Sequence, residues 1–309
     1  MNSLTLKHLR YFFALAQTRH FSKAADACAI SQPAFSLQIK QLEDLVGAPL
    51  VERTTRHVQL TDLGEKIAQR AGEVLRIVAE IGESVRAAKD ELSGPFRLGV
   101  IPTVAPYLLP EVMVRVTRRL PSLELIPREA VTPQLMEELH AGALDAAIAA
   151  LPISEAALTQ WPLFSENFIL VRPRSQAGMP VPDLAALQSL KILLLEEGHC
   201  FREQALACCE FGKENYKNIV EGSSLTTLVQ LVASGIGVTL IPEMAARIES
   251  KIAEVDLVEF EDPQPSRSIG LIWRKTSPLE AHLKMLSGIV RDAAMATRLR
   301  LADTAPPKQ

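Results

Sequence analysis

Apolar residues recur at helical spacing in three short runs at the start of the chain, and turn-forming residues separate these runs. They predict helices over residues 4–16, 23–29 and 32–45. Ser22 and Ser31 are placed to cap the second and third helices, with Pro33 in the first turn of the third. Gly47 suits the end of that helix, because glycine adopts the left-handed conformation easily.

A polar stripe runs along the third helix, where Gln32, Ser36 and Lys40 recur every four residues. Two short helices joined by a tight turn, the second polar along one face, are typical of a helix-turn-helix. The stripe therefore favours a DNA-reading helix.

A basic hairpin is predicted next, over residues 49–60. Its Arg53 and Arg56 would contact phosphate, since cationic side chains at a hairpin edge match the DNA backbone. The alternative for the stripe and the arginines is an ordinary solvated surface. The order of three helices followed by a basic hairpin favours a winged helix-turn-helix.

One long helix is predicted from Thr61 to about Asp90. Its apolar positions step by four and three over three heptads, and a 3.5-residue period favours a helix pair. A dimer would set two DNA-binding modules on a roughly palindromic site. The alternative is that this helix packs on its own domain. The apolar positions are Ile67, Ala71, Val74, Val78, Ile81, Val85 and Ala88.

Ser93-Gly94-Pro95 interrupts the helical pattern, and from there short apolar runs alternate with helical patterns. The alternation predicts an α/β body with largely parallel strand pairing and a last helix over 278–301. Ligands should bind at the carboxyl ends of its strands. The predicted strands are 96–100, 123–126, 144–150, 168–171, 192–195, 219–221, 238–241 and 269–273.

Composition narrows the class of protein. The 309 residues are 48% hydrophobic and 22% charged, as in ordinary soluble proteins. No apolar run approaches the ~20 residues of a membrane span, and the first residues do not resemble a signal peptide. With four cysteines, a cytoplasmic protein without structural disulfides is expected. Residues 1–60 hold seven Lys and Arg against four Asp and Glu, a net +3, which leaves −6 for the rest.

The segment 196–209 holds three of the four cysteines and follows a strongly apolar strand. Cys200 lies in the first turn of a predicted helix, where unpaired backbone N–H groups favour a thiolate, and His199 and Arg202 add possible positive charge. The alternatives are a buried, hydrogen-bonded His199 ring, a surface ion pair of Arg202 with Glu203 or another acid, and an inert, packed Cys200.

The spacing of the cysteines constrains any disulfide. On an unbroken helix Cys200 and Cys209 lie about 13–14 Å apart, and Cys200 and Cys208 about 12 Å. A disulfide needs Cα atoms within roughly 7 Å. Either bond therefore requires the helix to unwind, and the spacing leaves both partners open. Cys28 is expected to be a small buried residue.

Two loops place a threonine near a helix start, Thr103 after the first strand of the body and Thr132 before Pro133. A hydroxyl beside free N–H groups can bind a small polar ligand. Plain helix capping is the alternative for both.

The first 65 residues resemble the LysR-type transcriptional regulators. The matching runs are Leu9–Phe12, Phe21–Ala25, Ser31–Ser36, Ile39–Glu43 and Leu60–Gly64. The resemblance implies that Gln32, Pro33, Ser36 and Lys40 lie in or beside the major groove, with Arg53 in the wing. The expected DNA contacts are Ser31, Gln32, Pro33, Ser36, Lys40, Arg53 and Arg56.

The segments 99–110, 196–205 and 267–271 resemble the OxyR branch, the peroxide sensors of that family, and include its motif Gly198-His199-Cys200. The resemblance implies that Cys200 is the peroxidatic cysteine and Cys209 the resolving one. It further implies a tetramer, and a peroxide pocket formed by Thr103, Thr132, His199 and Arg267. Cys208, directly before Cys209, remains an alternative resolving thiol.

We therefore expect an α/β protein with an all-α winged helix-turn-helix over 1–60 and a linker and dimerisation helix over 61–92. A periplasmic-binding-protein-like regulatory domain over 93–309 would have two subdomains. Its expected parts are subdomain I over 93–165 and 268–301, subdomain II over 166–267, and a disordered tail over 302–309.

The expected function is a non-enzymatic transcriptional regulator that senses hydrogen peroxide through Cys200 and changes its promoter contacts. Its expected partners are double-stranded promoter DNA, hydrogen peroxide, other copies of itself and RNA polymerase, with no metal, cofactor or membrane. The alternatives are a LysR-type regulator that binds a small metabolite in the subdomain cleft, and a thiol peroxidase.

Overall fold

A computed structural model describes residues 3–53, 58–88, 92–183, 186–208 and 219–302. The chain divides into two compact units, Met1–Val85 with His140–Ala143, and Arg86–Leu139 with Leu144–Gln309. The domain and subdomain boundaries expected from the sequence remain predictions.

The first unit contains the three predicted helices, the hairpin and most of the long helix. Phe12, Leu15, Phe35, Ile39 and Leu42 are completely buried and form its core, so the apolar spacing correctly predicted which helix faces meet. The elements are α1 (Leu6–Thr18), α2 (Phe21–Ala27), α3 (Gln32–Val46), β1 (Val51–Arg53), β2 (Val58–Leu60) and α4 (Asp62–Ala87).

The predicted cap of α2 is wrong. The helix begins at Phe21, so His20 occupies the cap position and its ring accepts the Lys23 N–H at 3.5 Å. Ser22 instead donates to Gln32 Oε1 at 3.0 Å. Ser31 occupies the cap position of α3 but forms no side-chain capping hydrogen bond, and Gly47 ends that helix at φ 76°.

The apolar heptad positions of α4, from Ile67 to Val85, form a seam along the helix. This seam lies in two different environments. Ile67 packs against the core of the first unit, and Ala71 is buried. The later seam positions are exposed by 37–63%. Packing of the helix on its own domain therefore explains the beginning of the seam. It does not explain the later part, which is exposed to solvent. These exposed positions are Val74, Val78, Ile81 and Val85.

The regulatory unit is a mixed α/β structure, and the predicted strands are confirmed, several of them longer than expected. Its strands are β3 (Gly94–Val100), β4 (Leu123–Glu129), β5 (Ala146–Leu151), β6 (Leu158–Pro173), β7 (Ile192–Leu195), β8 (Ile219–Gly222), β9 (Val238–Pro242), β10 (Val255–Glu259) and β11 (Ser266–Arg274). Its helices are α5 (Ala105–Arg119), α6 (Thr132–His140), α7 (Cys200–Cys208), α8 (Leu225–Ala233), α9 (Glu243–Ile252) and α10 (Glu280–Ala302).

The prediction of largely parallel pairing is wrong. β3 pairs in parallel with β4 and β5, and β7 with β8 and β9. However, β11 is antiparallel to β5 and β6, and β6 is antiparallel to β9 and β10. The reason is the length of β6, whose sixteen residues pair first with β11 and then with β9 and β10. Strand pairing of this kind depends on distant segments, which a local apolar pattern does not report.

Some predicted features lie outside the described residues. These are Arg56, Cys209, the last turn of the linker helix at 89–91, and the tail 303–309. Among the described residues, no helix is long and apolar enough to cross a bilayer.

Candidate functional site

Cys200 is the first residue of α7, immediately after a tight loop at the end of β7. Gly198 in that loop has φ +91°, a left-handed value that favours glycine. The backbone of Arg202 donates to His199 O at 3.0 Å, which ties the loop to the start of the helix. The loop therefore holds His199 and Cys200 at a fixed position beside the sheet.

A small pocket of about 150 Å³ lies against this helix start. It is formed by the loop after β3, the start of α6 and the end of the β7 loop. The structure thus brings together Thr103, Thr132, His199 and Cys200, all of which the sequence marked as candidates. The full lining is Ile101, Pro102, Thr103, Val131, Thr132, His199 and Cys200.

Thr103 is buried, and its hydroxyl oxygen and carbonyl oxygen are both occupied by one guanidinium group. Arg267 Nη1 donates to Thr103 Oγ1 at 2.8 Å, and Nη2 donates to Thr103 O at 3.1 Å. Arg267, expected in the pocket, does not line it but stands directly behind Thr103. Since a guanidinium has no acceptor, the hydroxyl hydrogen of Thr103 remains free to be donated elsewhere.

Thr132 begins α6, and its Oγ1 is buried. Among the described residues this oxygen has no hydrogen-bond partner. Plain helix capping, the alternative reading of Thr132, would give its oxygen a backbone N–H partner. A buried hydroxyl that faces a pocket without a partner is expected to bind a polar ligand or water.

His199 lines the same pocket and is half-buried. Burial lowers the pKa of His199 below its usual value of 6.5, and the nearby Glu196 carboxylate only partly opposes this. The ring is therefore neutral at pH 7 and supplies a hydrogen-bonding group to the site rather than a positive charge.

Arg202 is bound to the neighbouring strands β7 and β8. Its Nη1 donates to Leu195 O at 2.8 Å and its Nη2 pairs with Glu221 Oε1 at 2.8 Å. The side chain of Arg202 is only 5% exposed, so the surface ion pair with Glu203 considered from the sequence is replaced by a buried attachment to β7 and β8. Arg202 therefore fastens α7 to the sheet.

None of the three described cysteines is part of a disulfide. Cys200 and Cys208 are half-buried and stand at opposite ends of α7, which continues without a break between them. Eight helical steps separate them by about 12 Å. Burial raises the pKa of the Cys28 thiol above its ordinary value, as expected for a packed residue of the first unit.

Sequence reasoning missed Glu166, which is buried and pairs with Arg267. The one available signal was a carboxylate two residues before the apolar run Phe168–Val171 of β6. A charge in such a place must find a partner, but the run does not identify the partner.

The expected DNA contacts lie on α3 and the hairpin. Ser31, Gln32, Pro33 and Lys40 are exposed, and Ser36 is partly exposed. Arg53 ends β1, but its side chain is outside the described atoms, as is the whole of Arg56.

Comparison with protein families matches both parts of the chain. A bacterial regulatory helix-turn-helix family, the lysR family, matches residues 6–65, and the LysR substrate binding domain matches residues 89–295.

Individual relatives cover almost the whole chain. A probable hydrogen peroxide-inducible genes activator of Streptomyces viridosporus is 40% identical over 304 residues, which is 96% of each chain. The dual regulator OxyR of Escherichia coli K12 is 38% identical over 93% of this chain and 95% of its own. A solved structure is similar as well, a hydrogen-peroxide-bound cysteine-to-serine variant of Corynebacterium glutamicum OxyR. It has a TM-score of 0.68 and 33% identity, and the match covers 100% of this chain and 98% of that one.

Proposed function

The chain belongs to the LysR-type transcriptional regulators and is a peroxide-sensing regulator of the OxyR group; from that premise we propose that Cys200 is the residue that reacts with peroxide. The observation that carries the proposal is the pocket that sets Cys200 at a helix start beside Thr103, Thr132 and His199. Its hydroxyls and imidazole provide hydrogen bonds for a molecule with two oxygens.

The size of the pocket favours peroxide over a metabolite. Sites for small-molecule ligands usually enclose about 300–1,000 Å³, whereas the centre of a water-sized sphere finds essentially no volume in this pocket, whose empty space of about 150 Å³ includes open solvent. A regulator controlled by a metabolite in this position would need a larger opening. We therefore prefer oxidation of the thiol to reversible ligand binding as the signal.

The first chemical step is oxidation of the thiolate. The Cys200 sulfur attacks one oxygen of hydrogen peroxide, the O–O bond breaks, and the sulfur becomes a sulfenic acid. The second oxygen leaves as hydroxide and takes a proton from solvent to become water. A hydroxyl donor placed at that leaving oxygen stabilises its developing negative charge.

The second step is closure to a disulfide with Cys209. The Cys209 thiol attacks the sulfenic sulfur, an S–S bond forms, and the hydroxyl leaves with the thiol proton as water. Because α7 runs unbroken from Cys200 to Cys208, closure with Cys208 or with Cys209 requires at least part of this helix to unwind. The unwinding converts a local oxidation into a change of shape.

We also propose the partners of the regulator. The exposed stripe of α3, with Arg53 and Arg56 of the hairpin, would contact promoter DNA. The exposed part of the α4 seam would pair with the same seam of a second copy, with a homotetramer as the full assembly. RNA polymerase would be the partner at the promoter and the cytoplasm the compartment, and the protein would perform no enzymatic turnover.

A Cys200→Ser variant tests the sensing residue. Expression of a reporter from a bound promoter should lose its response to peroxide, while the affinity of the variant for that promoter in a gel-shift titration stays within about twofold of wild type. A Cys28→Ser variant is the control and should respond normally. Induction that survives in Cys200→Ser would rule out Cys200 as the sensor.

Mass mapping tests the disulfide. After brief treatment with one equivalent of peroxide and alkylation of free thiols, peptides containing Cys200 and Cys209 should be recovered as one linked species. A link from Cys200 to Cys208 would identify Cys208, and not Cys209, as the resolving cysteine. Repeated consumption of peroxide in the presence of a thiol reductant, far beyond one equivalent, would instead identify a peroxidase.

A further inference from the structure

Glu166 and Arg267 form an ion pair that is shielded from water. Neither residue takes part in the two proposed steps of cysteine oxidation. They are register partners on β6 and β11, and their side chains are 1% and 0% exposed. Arg267 Nε donates to Glu166 Oε1 at 2.9 Å, and Arg267 Nη2 lies 2.8 Å from the same oxygen. The other carboxylate oxygen accepts the backbone N–H of Met244 at the start of α9 at 3.1 Å. Both oxygens of Glu166 are therefore engaged.

The guanidinium of Arg267 also contacts two residues at the proposed site, Thr103 and Phe201. Its Nη atoms donate to the hydroxyl and carbonyl oxygens of Thr103. The ring of Phe201, the residue next to Cys200, lies 5.1 Å from the guanidinium carbon. Glu166 thus holds a group that contacts both the pocket threonine and the cysteine helix.

The direction of these hydrogen bonds has a chemical consequence. Arg267 can only donate, so Thr103 Oγ1 must accept, and the hydroxyl hydrogen of Thr103 must point to another acceptor. Thr103 Oγ1 belongs to a residue that lines the pocket beside Cys200. A guanidinium left without its carboxylate would turn toward other acceptors, because a buried charge needs a partner. The orientation of the Thr103 hydroxyl therefore depends on Glu166.

We propose that Glu166 is a positioning residue for the oxidation of Cys200, acting through Arg267 to keep the Thr103 hydroxyl as a hydrogen-bond donor to the leaving oxygen of peroxide. The proposal rests on the proposed function, in which the Cys200 sulfur is oxidised and the O–O bond breaks. Glu166 contacts neither sulfur nor peroxide. It exchanges no proton or electron in the step, and the leaving hydroxide still becomes water at the expense of a solvent proton.

The experiment compares two reactions of the same thiol in the full-length reduced protein. Oxidation by hydrogen peroxide needs a donor at the leaving oxygen, whereas alkylation by iodoacetamide expels iodide and does not. A change in the thiolate fraction or in access affects both rates, so the ratio of peroxide rate to alkylation rate isolates the donor. In Glu166→Gln this ratio should fall by about tenfold, since loss of an aligned donor to a developing oxyanion has effects of this order or larger.

Matched variants sharpen the test. Glu197→Gln makes the same chemical change at an exposed carboxylate close to Cys200 in sequence and should leave the ratio within about twofold of wild type. Glu166→Asp retains the charge and should recover part of the ratio. In a Thr103→Val background, which has no hydroxyl to orient, Glu166→Gln should cause no further fall.

A fall of both rates together in Glu166→Gln, or the same tenfold loss of the ratio in the Thr103→Val background, would overturn the proposal. If Glu166→Gln does not fold, Glu166→Asp decides: its ratio should be lowered at least threefold, and a wild-type ratio would count against the proposal. Failure of the proposed function has a different signature, because peroxide would then leave Cys200 unoxidised in the wild-type protein itself.

Discussion

His199 stands directly before Cys200, and its ionisation is set by its half-buried position. Because burial lowers its pKa below the usual 6.5, the folded protein keeps this ring neutral at a pH where the unfolded chain already protonates it. The unfolded state then binds the additional proton, so acid favours unfolding through this residue. The contribution is absent above pH 6.5 and grows as the pH falls from there to the pKa of the folded state.

A His199→Gln variant should therefore lose less stability in acid than the wild type. The free energy of unfolding, measured by urea titration at pH 7.5 and at pH 5.5, should fall more for the wild type over this interval. The two proteins differ at residue 199 alone, so the difference between their two falls reports on His199. An equal or larger fall in His199→Gln would contradict the buried, neutral ring.

Gly198 shows a second effect at this scale, one of backbone conformation and not of space. A Cβ added there would lie 3.7 Å from Val131 Cγ2, an ordinary contact, but φ +91° is strained for any residue with a side chain. Gly198→Ala should lower the free energy of unfolding by about 1–2 kcal/mol. Gly178→Ala, at φ +80° in a loop that does not line the pocket, should destabilise to a similar degree without slowing oxidation of Cys200. If Gly198→Ala and Gly178→Ala change the rate of Cys200 oxidation equally, the backbone conformation of Gly198 has no role in the site.

At the scale of elements, α7 is both the carrier of Cys200 and the segment that must unwind before a disulfide can close. Phe201, Ala205 and Leu206 bury one face of this short helix in the core. Arg202 adds its attachment to Leu195 O and Glu221. These contacts favour the helical, reduced form, and their strength sets how readily the oxidised helix rearranges.

Weakening the attachment should accelerate closure. In Glu221→Gln the ion pair with Arg202 is lost, and because the carboxylate is 47% exposed the loss is worth at most about 1 kcal/mol. The rate at which Cys200 sulfenic acid converts to the disulfide should become about two- to fivefold faster. This rate is measured by trapping the remaining sulfenic acid with dimedone at successive times. Glu203→Gln, an exposed acid on the same helix, is the control. Unchanged closure in Glu221→Gln would show that the attachment does not resist unwinding.

At the scale of the whole molecule, the proposed dimer rests on the exposed part of the α4 seam. Val74, Val78, Ile81 and Val85 keep the heptad spacing but are not covered by their own unit. A row of aliphatic side chains in water is a common mark of an interface. Pairing through this seam would also bring together two helix-turn-helix modules for a two-part DNA site.

An Ile81→Asp variant should weaken the assembly, since Ile81 is 62% exposed in the single chain and its replacement would bury a carboxylate between helices. The dissociation constant measured by sedimentation should rise at least about tenfold. Gln69→Asp introduces the same charge at an exposed position on the opposite side of the helix from the seam and should leave the assembly unchanged. An unaltered Ile81→Asp assembly would place the interface elsewhere.

The sequence determined those features that depend on neighbouring residues. The spacing of Phe35, Ile39 and Leu42 specified the buried face of α3, and the apolar run 192–195 matched β7 residue for residue. The local motif Gly198-His199-Cys200 indicated the segment that we propose to react with peroxide. Helical period, strand alternation and turn residues act over a few positions, so the chain displays them directly.

The tertiary structure decided what depends on strand register and on pairs far apart in the chain. Glu166 meets Arg267 because β6 and β11 pair in one particular register, and Arg202 turns to Glu221 and not to its neighbour Glu203. Thr103 and Thr132 face Cys200 because separate loops meet at one pocket. A buried charge must find a partner, but which partner it finds is settled only when distant strands pack, and no local pattern contains that information.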